Sequence, residues 1–386
     1  MNDPQRRQDW DPTSEAVQRD QRAAYDELRE RCPVAHSDLL GWSLFRHADV
    51  LRALEDPVTF SSVVSAHRAV PNGMDPPEHT EYRRIVEPYF SAERVQAFEP
   101  RCRAIAAGLA RSLSGRDAVE FVAGFADPFA VQVQCAFLGW PDAMRMPLQR
   151  WTLRNYAVRR GADRAASARI AAEFEQLVLD MLSARRGADD AAEDDVTSRL
   201  MRERVWGRPL ADGEIVSILR NWTVGEIATI SAAVGIVVHD LACHPDRQAA
   251  LRAQPARLPA AIDEMLRLHG PLVTNRRVAT CAVEVGGRRI AAGERVTLNW
   301  VAANRDERAF DDALAFRPER DPSANLLYGA GIHVCPGAPL ARMELRVAIE
   351  ELLAATARIE PADAPASLAA YPASGFVALP LRLHRP

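Results

Sequence analysis

The stretch LLYGAGIHVCPGAPLARMEL, residues 326–345, decides how the rest of this chain is read. It places one cysteine, Cys335, in a glycine-rich loop directly ahead of an apolar-periodic segment that predicts a helix. His333 stands two residues before the cysteine, and Pro336 and Gly337 build a turn after it. The loop has no Gly-Lys-Ser/Thr ending and no strand–GxGxxG–helix unit around it, so a phosphate loop is excluded. A zinc centre needs more ligands than the loop offers. A nucleophile and its base usually meet across the fold, not two residues apart in one tight loop. What remains is a thiolate at a loop tip beside a helix N-terminus, within reach of successive backbone N–H groups. That setting suits a metal ligand whose sulfur stays deprotonated yet lightly hydrogen-bonded.

The chain around this loop is ordinary globular material, 48% hydrophobic and 26% charged over 386 residues, enough for a large core and an internal cavity. A net charge of −4 and a pI near 6.2 give no reason to expect nucleic acid or an anionic membrane surface as partner. The polar start MNDPQRRQDWDPTSEA and the lack of an apolar run near the roughly 20 residues of a membrane span point to a cytoplasmic protein without a membrane contact. Cys32, Cys102, Cys135, Cys243 and Cys281 are scattered, form no CxxC pair and read as small hydrophobes.

Apolar periodicity predicts helices over most of the length, among them AAYDELRERC, VQAFEPRCRAIAAGLARSL, RIAAEFEQLVLDMLSARR and PARLPAAIDEMLRLHG. Strand-like alternation is confined to GWSLFR and to CAVEVGGRRIAAGERVTLNW, where glycine pairs punctuate a small meander. RRGADDAAEDDVTS reads as an exposed acidic loop. The expectation is a mainly α (α+β) protein forming a single domain over residues 1–386. The longest helix is predicted from near Asp212 to about Ala242, roughly 45 Å and central. Trp222, Glu226 and Thr229, spaced i, i+4, i+7 and joined by Gly225, are expected to line a polar cavity, because an unpartnered carboxylate in packed core is costly.

YGAGIHVCPG resembles the haem-binding loop of the cytochrome P450 family, aromatic-G-x-G-x-H-x-C-x-G. The resemblance implies that Cys335 is the proximal ligand of a haem iron (heme b, iron protoporphyrin IX). It further implies that His333 contacts a haem propionate and that Tyr328 and Gly337 belong to the same cofactor-binding loop. EMLR in AAIDEMLRLHG is similar to the family's E-x-x-R, which makes Glu264 and Arg267, with Arg320 of AFRPERD, a buried triad fixing the loop. DPPEHTEYRR resembles the start of the family's C helix, where His79 and Arg83 reach the propionates. Arg277 of RRVAT is the further basic partner implied, preferred over Arg276. LNWVAANRDERAFDDALAFRPERD is similar to the segment joining E-x-x-R to the haem loop. The implied architecture is the cytochrome P450 fold, with a long central I helix and a small β-sheet region.

Two features depart from the family pattern. Counting back nineteen residues from Glu264 to Pro245, and sixteen more, puts Thr229 at the oxygen-activating threonine of the I helix. Ala228 then occupies the usual acid position, with Glu226 where glycine is usual. Glu226 is available as a substitute proton source or as a ligand for a polar substrate group. Pro336 follows the cysteine where an apolar residue with an N–H is commoner, which removes one donor to the sulfur and predicts a more negative haem potential.

The family resemblance implies a soluble, bacterial-type haem-thiolate monooxygenase acting on a small-to-medium organic metabolite or small peptide. It would use O₂ and electrons from a separate ferredoxin or flavodoxin with its reductase, and act as a monomer. Trp222, Gly225, Val273, Thr274, Asn275 and Phe376 are expected at the substrate pocket. Arg154, Arg159, Arg160 and Arg164 read either as a solvated helix face or as attraction for an acidic substrate. Arg84, Arg103, Arg342 and Arg346 are candidate contacts for the redox partner. The missing acid leaves oxidative cross-linking or peroxide-driven oxidation as alternatives, and a non-catalytic haem sensor is the rival from another class, against which the retained Thr229 argues.

Overall fold

The architecture is built around one helix of 32 residues, Asp212–Cys243. Its start is fixed by acids in the first turn, where Asp212 and Glu214 favour the helix dipole and Glu214 accepts the Ala211 N–H at 2.8 Å. Its end is set by His244 and Pro245, the latter opening the next helix, Pro245–Ala253. The computed structural model describes residues 8–65, 68–113, 118–161, 164–187 and 195–385. The helix packs against Asp127–Leu138, Leu258–His269 and Ala338–Ala355, and the last of these also lies along Ala92–Leu113. Contrary to the expectation from composition, this helix is long and apolar enough to cross a membrane, but 61% of its most apolar window is buried within the protein. Its apolarity is accounted for by that packing.

The β structure lies at the periphery. Five strands form one mixed sheet in the order Val34–Ser37, Gly41–Leu44, Arg295–Asn299, Thr274–Ala279, Phe60–Ser61. Gly41–Leu44 and Arg295–Asn299 pair in parallel, the other neighbours antiparallel. The expected meander is present as the Val283–Val285/Arg288–Ile290 hairpin followed by Arg295–Asn299. The strand Thr274–Ala279 was hidden in the sequence because Thr-Asn-Arg-Arg breaks the apolar alternation. In it Arg277 pairs with Val296 and is buried.

Arg267 is fully buried and links the helical and sheet regions. It donates from Nε to Glu264 Oε2 at 2.7 Å, from Nη2 to Glu264 Oε1 at 2.9 Å, and from Nη1 to the Asn304 carbonyl at 2.6 Å. Arg320 Nε reaches Glu264 Oε1 at 3.3 Å, and the Arg317 N–H reaches the same oxygen at 3.1 Å. Both guanidinium groups also lie over the Phe310 ring. Burial works to raise the Glu264 pKa, but these donors hold it below the usual carboxylate range. Its stabilisation is therefore present above the ordinary carboxylate pKa and lost as pH falls through the lowered value. Glu264→Ala leaves Arg267 charged and unpaired in the interior, so it is expected to cost about 3–5 kcal/mol in urea unfolding. A loss below about 1 kcal/mol, the size of an exposed pair, would contradict this role.

Candidate active site

The loop before Cys335 is pinned at three points. Asn304 Oδ1 accepts the Leu326 N–H at 2.8 Å, tying the start of the loop to the residue whose carbonyl Arg267 holds. Gly331 has φ +65°, and a Cβ there would stand 2.3 Å from the Leu54 carbonyl oxygen, so only glycine fits this approach. The Cys335 N–H then donates to the Tyr328 carbonyl at 2.8 Å.

The backbone N–H groups of Gly337 and Ala338 act on the Cys335 sulfur, the latter also donating to the Cys335 carbonyl at 3.3 Å, while Pro336, directly after the cysteine, has none to offer. Cys335 is exposed on its open side, unlike Cys102 and Cys135. The protein packed around the sulfur pushes the thiol pKa up, and the two N–H groups pull against that shift. Such a thiol is a poor free nucleophile, and its thiolate is the form a metal would stabilise. A Cβ at Gly337 would sit 3.8 Å from the sulfur and 3.7 Å from the Phe90 ring, which shows how closely the helix start approaches.

Beside the loop lies a cluster of basic side chains. The His79 and His333 rings are 4.2 Å apart, and Arg83 binds the Val334 carbonyl and Glu87, the latter at 2.7 Å. Arg277 is 4% exposed and donates to the Arg276 carbonyl, whereas Arg276 itself is exposed. Burial lowers the pKa of His79, that of His333 to about 3 and that of Arg277 to about 10. Asp75, the carboxylate whose charge reaches Arg277, is occupied by Ser61 Oγ at 2.5 Å and the Ser62 N–H at 2.9 Å. Nε2 of both histidines is buried without a partner. A thiolate donor next to cations and unsatisfied ring nitrogens fits a metal–porphyrin group whose edge carries two carboxylates.

On the central helix the expected single stripe resolves into two rows. Successive residues are turned by about 100°, so 222 and 226 form one row and 225 and 229 the next. Gly225 faces open space, and Thr229 Oγ1 donates to its carbonyl at 2.6 Å. Trp222 instead packs between Tyr89 and Phe90, with ring centroids 5.4 and 5.2 Å away. The Glu226 carboxyl lies against Glu344 of the Ala338–Ala355 helix. The reading of Trp222 and Glu226 as lining one polar cavity with Thr229 is thus corrected: aromatic packing and a second carboxyl hold them on another face.

The remaining expected pocket residues make contacts of their own. Phe376 packs at a 40° tilt against His239, ring centroids 4.6 Å apart, and sits 3.7 Å from where a Gly235 Cβ would be. Phe376 and Val273 line a cavity of about 320 Å³ with Ile236, His239 and His269. Thr274 Oγ1 is 3.4 Å from the Tyr371 hydroxyl, and Asn275 Oδ1 accepts the Arg276 N–H. Arg154 pairs with Glu173 at 2.6 Å, and the side chains of Arg159, Arg160 and Arg164 lie outside the described residues. Arg103 and Arg346 are engaged by Glu99 and Glu350, with Glu351 also on Arg103. Arg84 and Arg342 are half-exposed or more, with one acid each. Tyr328 is capped by Arg342, 4.5 Å over its ring, and its hydroxyl is buried without a partner.

Sequence reasoning missed Glu344. A signal was available: this acid is flanked by Met343 and Leu345 and lies four residues from Leu340 and from Ala348, all buried.

A family model described as Cytochrome P450 matches residues 156–356. Cyclomarin C epoxidase CymV of Salinispora arenicola is 35% identical over 355 residues, covering 88% of this chain and 89% of that protein. Erythromycin C-12 hydroxylase of Saccharopolyspora erythraea is 34% identical over 86% of each chain. Among solved structures, open EryK from S. erythraea superposes with a TM-score of 0.86 at 30% identity, over 94% of this chain and 95% of that one. HmtN, a post-tailoring hydroxylase involved in himastatin biosynthesis, gives 0.80 at 29%, over 92% and 94%. With the thiolate loop, the basic cluster and the buried Glu264–Arg267–Arg320 group in place, this chain belongs to the cytochrome P450 family of haem-thiolate monooxygenases.

Proposed function

We propose that residues 1–386 form one catalytic domain that oxidises a medium-sized secondary metabolite in the cytoplasm, with heme b as cofactor. The carrying observation is the Cys335 sulfur held by two backbone N–H groups beside His79, Arg83, Arg277 and His333, two of whose ring nitrogens are buried and unsatisfied. Cys335 would hold the iron and the four basic residues the propionates. When bound, the haem supplies activation of O₂ and transfer of one oxygen atom to the substrate. The protein's own contribution is to orient substrate over the open space at Gly225 and to move protons at Thr229 Oγ1. The names of the relatives, which act on cyclomarin and erythromycin, support a complex metabolite as substrate. A separate ferredoxin or flavodoxin with its reductase would deliver electrons on the Cys335 side, where Arg84 and Arg342 are the more exposed of the four arginines.

Ala228 at the acid position favours a second reading, oxidative coupling or peroxide-driven oxidation. Turnover under ¹⁸O₂ decides between them: the monooxygenase places one labelled atom in the product, whereas unlabelled product supports the second reading. A reduced, carbon-monoxide-bound spectrum without the thiolate–haem band would overturn both. Thr229→Ala is expected to lower product formation on the order of 10²-fold while haem binding persists. For the sulfur, restoring an N–H with Pro336→Leu is expected to shift the haem potential positively. Equal potentials in a redox titration, or the opposite order, would show that the proline only stiffens the turn.

A further inference from the structure

Beyond Thr229 the central helix continues with Ala232 and Ile236 at steps of about one turn, all three within about 60° of one face. The tip of the Ser367–Leu368/Phe376–Ala378 hairpin is seated on this row. Gly375 has φ +79°, and a Cβ on it would stand 3.1 Å from Ala232 Cα. Past the tip lies the cavity of about 320 Å³, whose helix wall runs from Ile236 to His244. Neither Gly225 nor Thr229 lines it, and none of His79, Arg83, Arg277 and His333 does. Its other walls come from the Gln21–Arg31 helix, the end of Leu258–His269 and the hairpin. Asp20, Cys243 and His244 border it and are exposed, so it is reached from solvent. Its volume falls at the small end of the range for ligand pockets, roughly 300–1,000 Å³.

The lining holds a cation that no acid claims. Arg22 donates from Nη1 to His269 Nδ1, and it has no other side-chain partner among the described residues. A guanidinium only donates, so His269 is neutral and carries its proton on Nε2. The acids nearby are engaged elsewhere. Asp26, whose charge reaches Arg22, is held by Arg29 and Arg305, each at 2.6 Å. Asp20 caps its own helix by accepting the Ala23 N–H at 3.1 Å, and Asp240 is taken by Arg247. His239 borders the same space, 3.6 Å from the Cys243 sulfur. Opposite these polar groups stand the apolar side chains of Ile236, Val273, Val301 and Phe376, the first three of them buried. A planar fork of free donors facing aliphatic and aromatic walls matches a flat organic acid.

We propose that this cavity is a second ligand site, taking a small aromatic carboxylate whose acid group is held by Arg22 and the His269 Nε2–H and whose ring lies against Ile236, Val273 and Phe376. The site is separate from the oxidation chemistry and stands whether or not that reading holds. Phe376 is both a wall of the cavity and part of the hairpin seated one turn from Thr229. An occupant that fixes Phe376 therefore fixes the hairpin tip as well, and a ligand over Gly225 feels it. By linkage the effect on the two affinities is mutual.

Calorimetric titration of the holoenzyme with indole-3-acetate at about pH 7, where the acid is ionised, is expected to show one saturable site. Arg22→Gln is expected to weaken it about 10- to 100-fold, the worth of a hydrogen bond to a charged group, with the reduced carbon-monoxide band kept as in the wild type. Indole-3-acetamide lacks the charge and inorganic phosphate lacks the ring, so both are expected to bind more weakly. Location is read from the thiols: indole-3-acetate slows alkylation of Cys243 by iodoacetamide, whereas Cys281, exposed and outside the cavity, keeps its rate. Cys243→Trp, at the exposed border, is expected to block entry and serves should Arg22→Gln fail to fold. For the coupling, 4-phenylimidazole, whose ring nitrogen binds haem iron, is titrated through the haem absorption band. Saturating indole-3-acetate is expected to change its affinity about fivefold or more in the wild type, and to leave it unchanged in Arg22→Gln. No saturable binding, binding unweakened in the folded variant, or Cys243 left unprotected overturns the site. Phosphate or the amide binding as tightly as indole-3-acetate overturns the aromatic-acid class. Binding that protects Cys243 without changing the 4-phenylimidazole affinity overturns the coupling through the hairpin.

Discussion

The position of Cys335 depends on an arginine that never meets solvent. Arg267 spends three of its N–H groups on Glu264 and on the Asn304 carbonyl, and Asn304 in turn takes the N–H of Leu326, where the cysteine loop begins. Arg320 and the Arg317 N–H complete the shell around Glu264. A buried ion pair contributes little net stability against a well-packed apolar alternative. Here its value lies in direction: a planar fork with five fixed donors sets the angle between a helix, a connecting segment and a loop in a way that apolar contacts cannot.

The basic cluster shows the opposite balance. His79, Arg83, Arg277 and His333 converge with fewer acids than bases, Glu87 on Arg83 and Asp75 nearby, and burial depresses the pKa of both histidines and of Arg277. Assembled without a ligand this cluster is costly, because it buries ring nitrogens that nothing satisfies. A dianionic edge would supply both the missing acceptors and the missing charge. Folding and cofactor binding are thereby coupled, with the ligand stabilising the folded chain in proportion to its affinity.

The parts legible in the sequence were those fixed by local spacing. The central helix runs Asp212–Cys243 against an expected end near Ala242, and Glu264 and Arg267 form the i, i+3 ion pair that their spacing implied. The less legible parts depended on contacts between distant segments. Glu226 looked like a neighbour of Thr229 because they stand three positions apart, yet its carboxyl lies against Glu344, over a hundred positions away. Trp222 looked like a pocket wall until Tyr89 and Phe90 enclosed it. Phe376 belongs to a short hairpin with Ser367–Leu368, too brief for alternation to reveal, and that pairing carries it to His239. Arg103 and Arg346 resembled free surface cations because their acids come partly from a different helix.

The two departures from the family pattern act on different groups. Pro336 offers no N–H beside the Cys335 sulfur, where the N–H groups of Gly337 and Ala338 act. Glu226 adds a carboxyl at the position where the helix usually has glycine, and the crossing helix meets it with another. The missing acid at Ala228 cannot therefore be read as a simple loss of acidity from the central helix. The carboxyl stands two residues earlier and faces the Ala338–Ala355 helix, which itself starts at the cysteine loop. Because that helix carries Glu344 and begins three residues after Cys335, the carboxyl pair and the sulfur are held by one rigid element, and a change in how that helix seats would be felt by both.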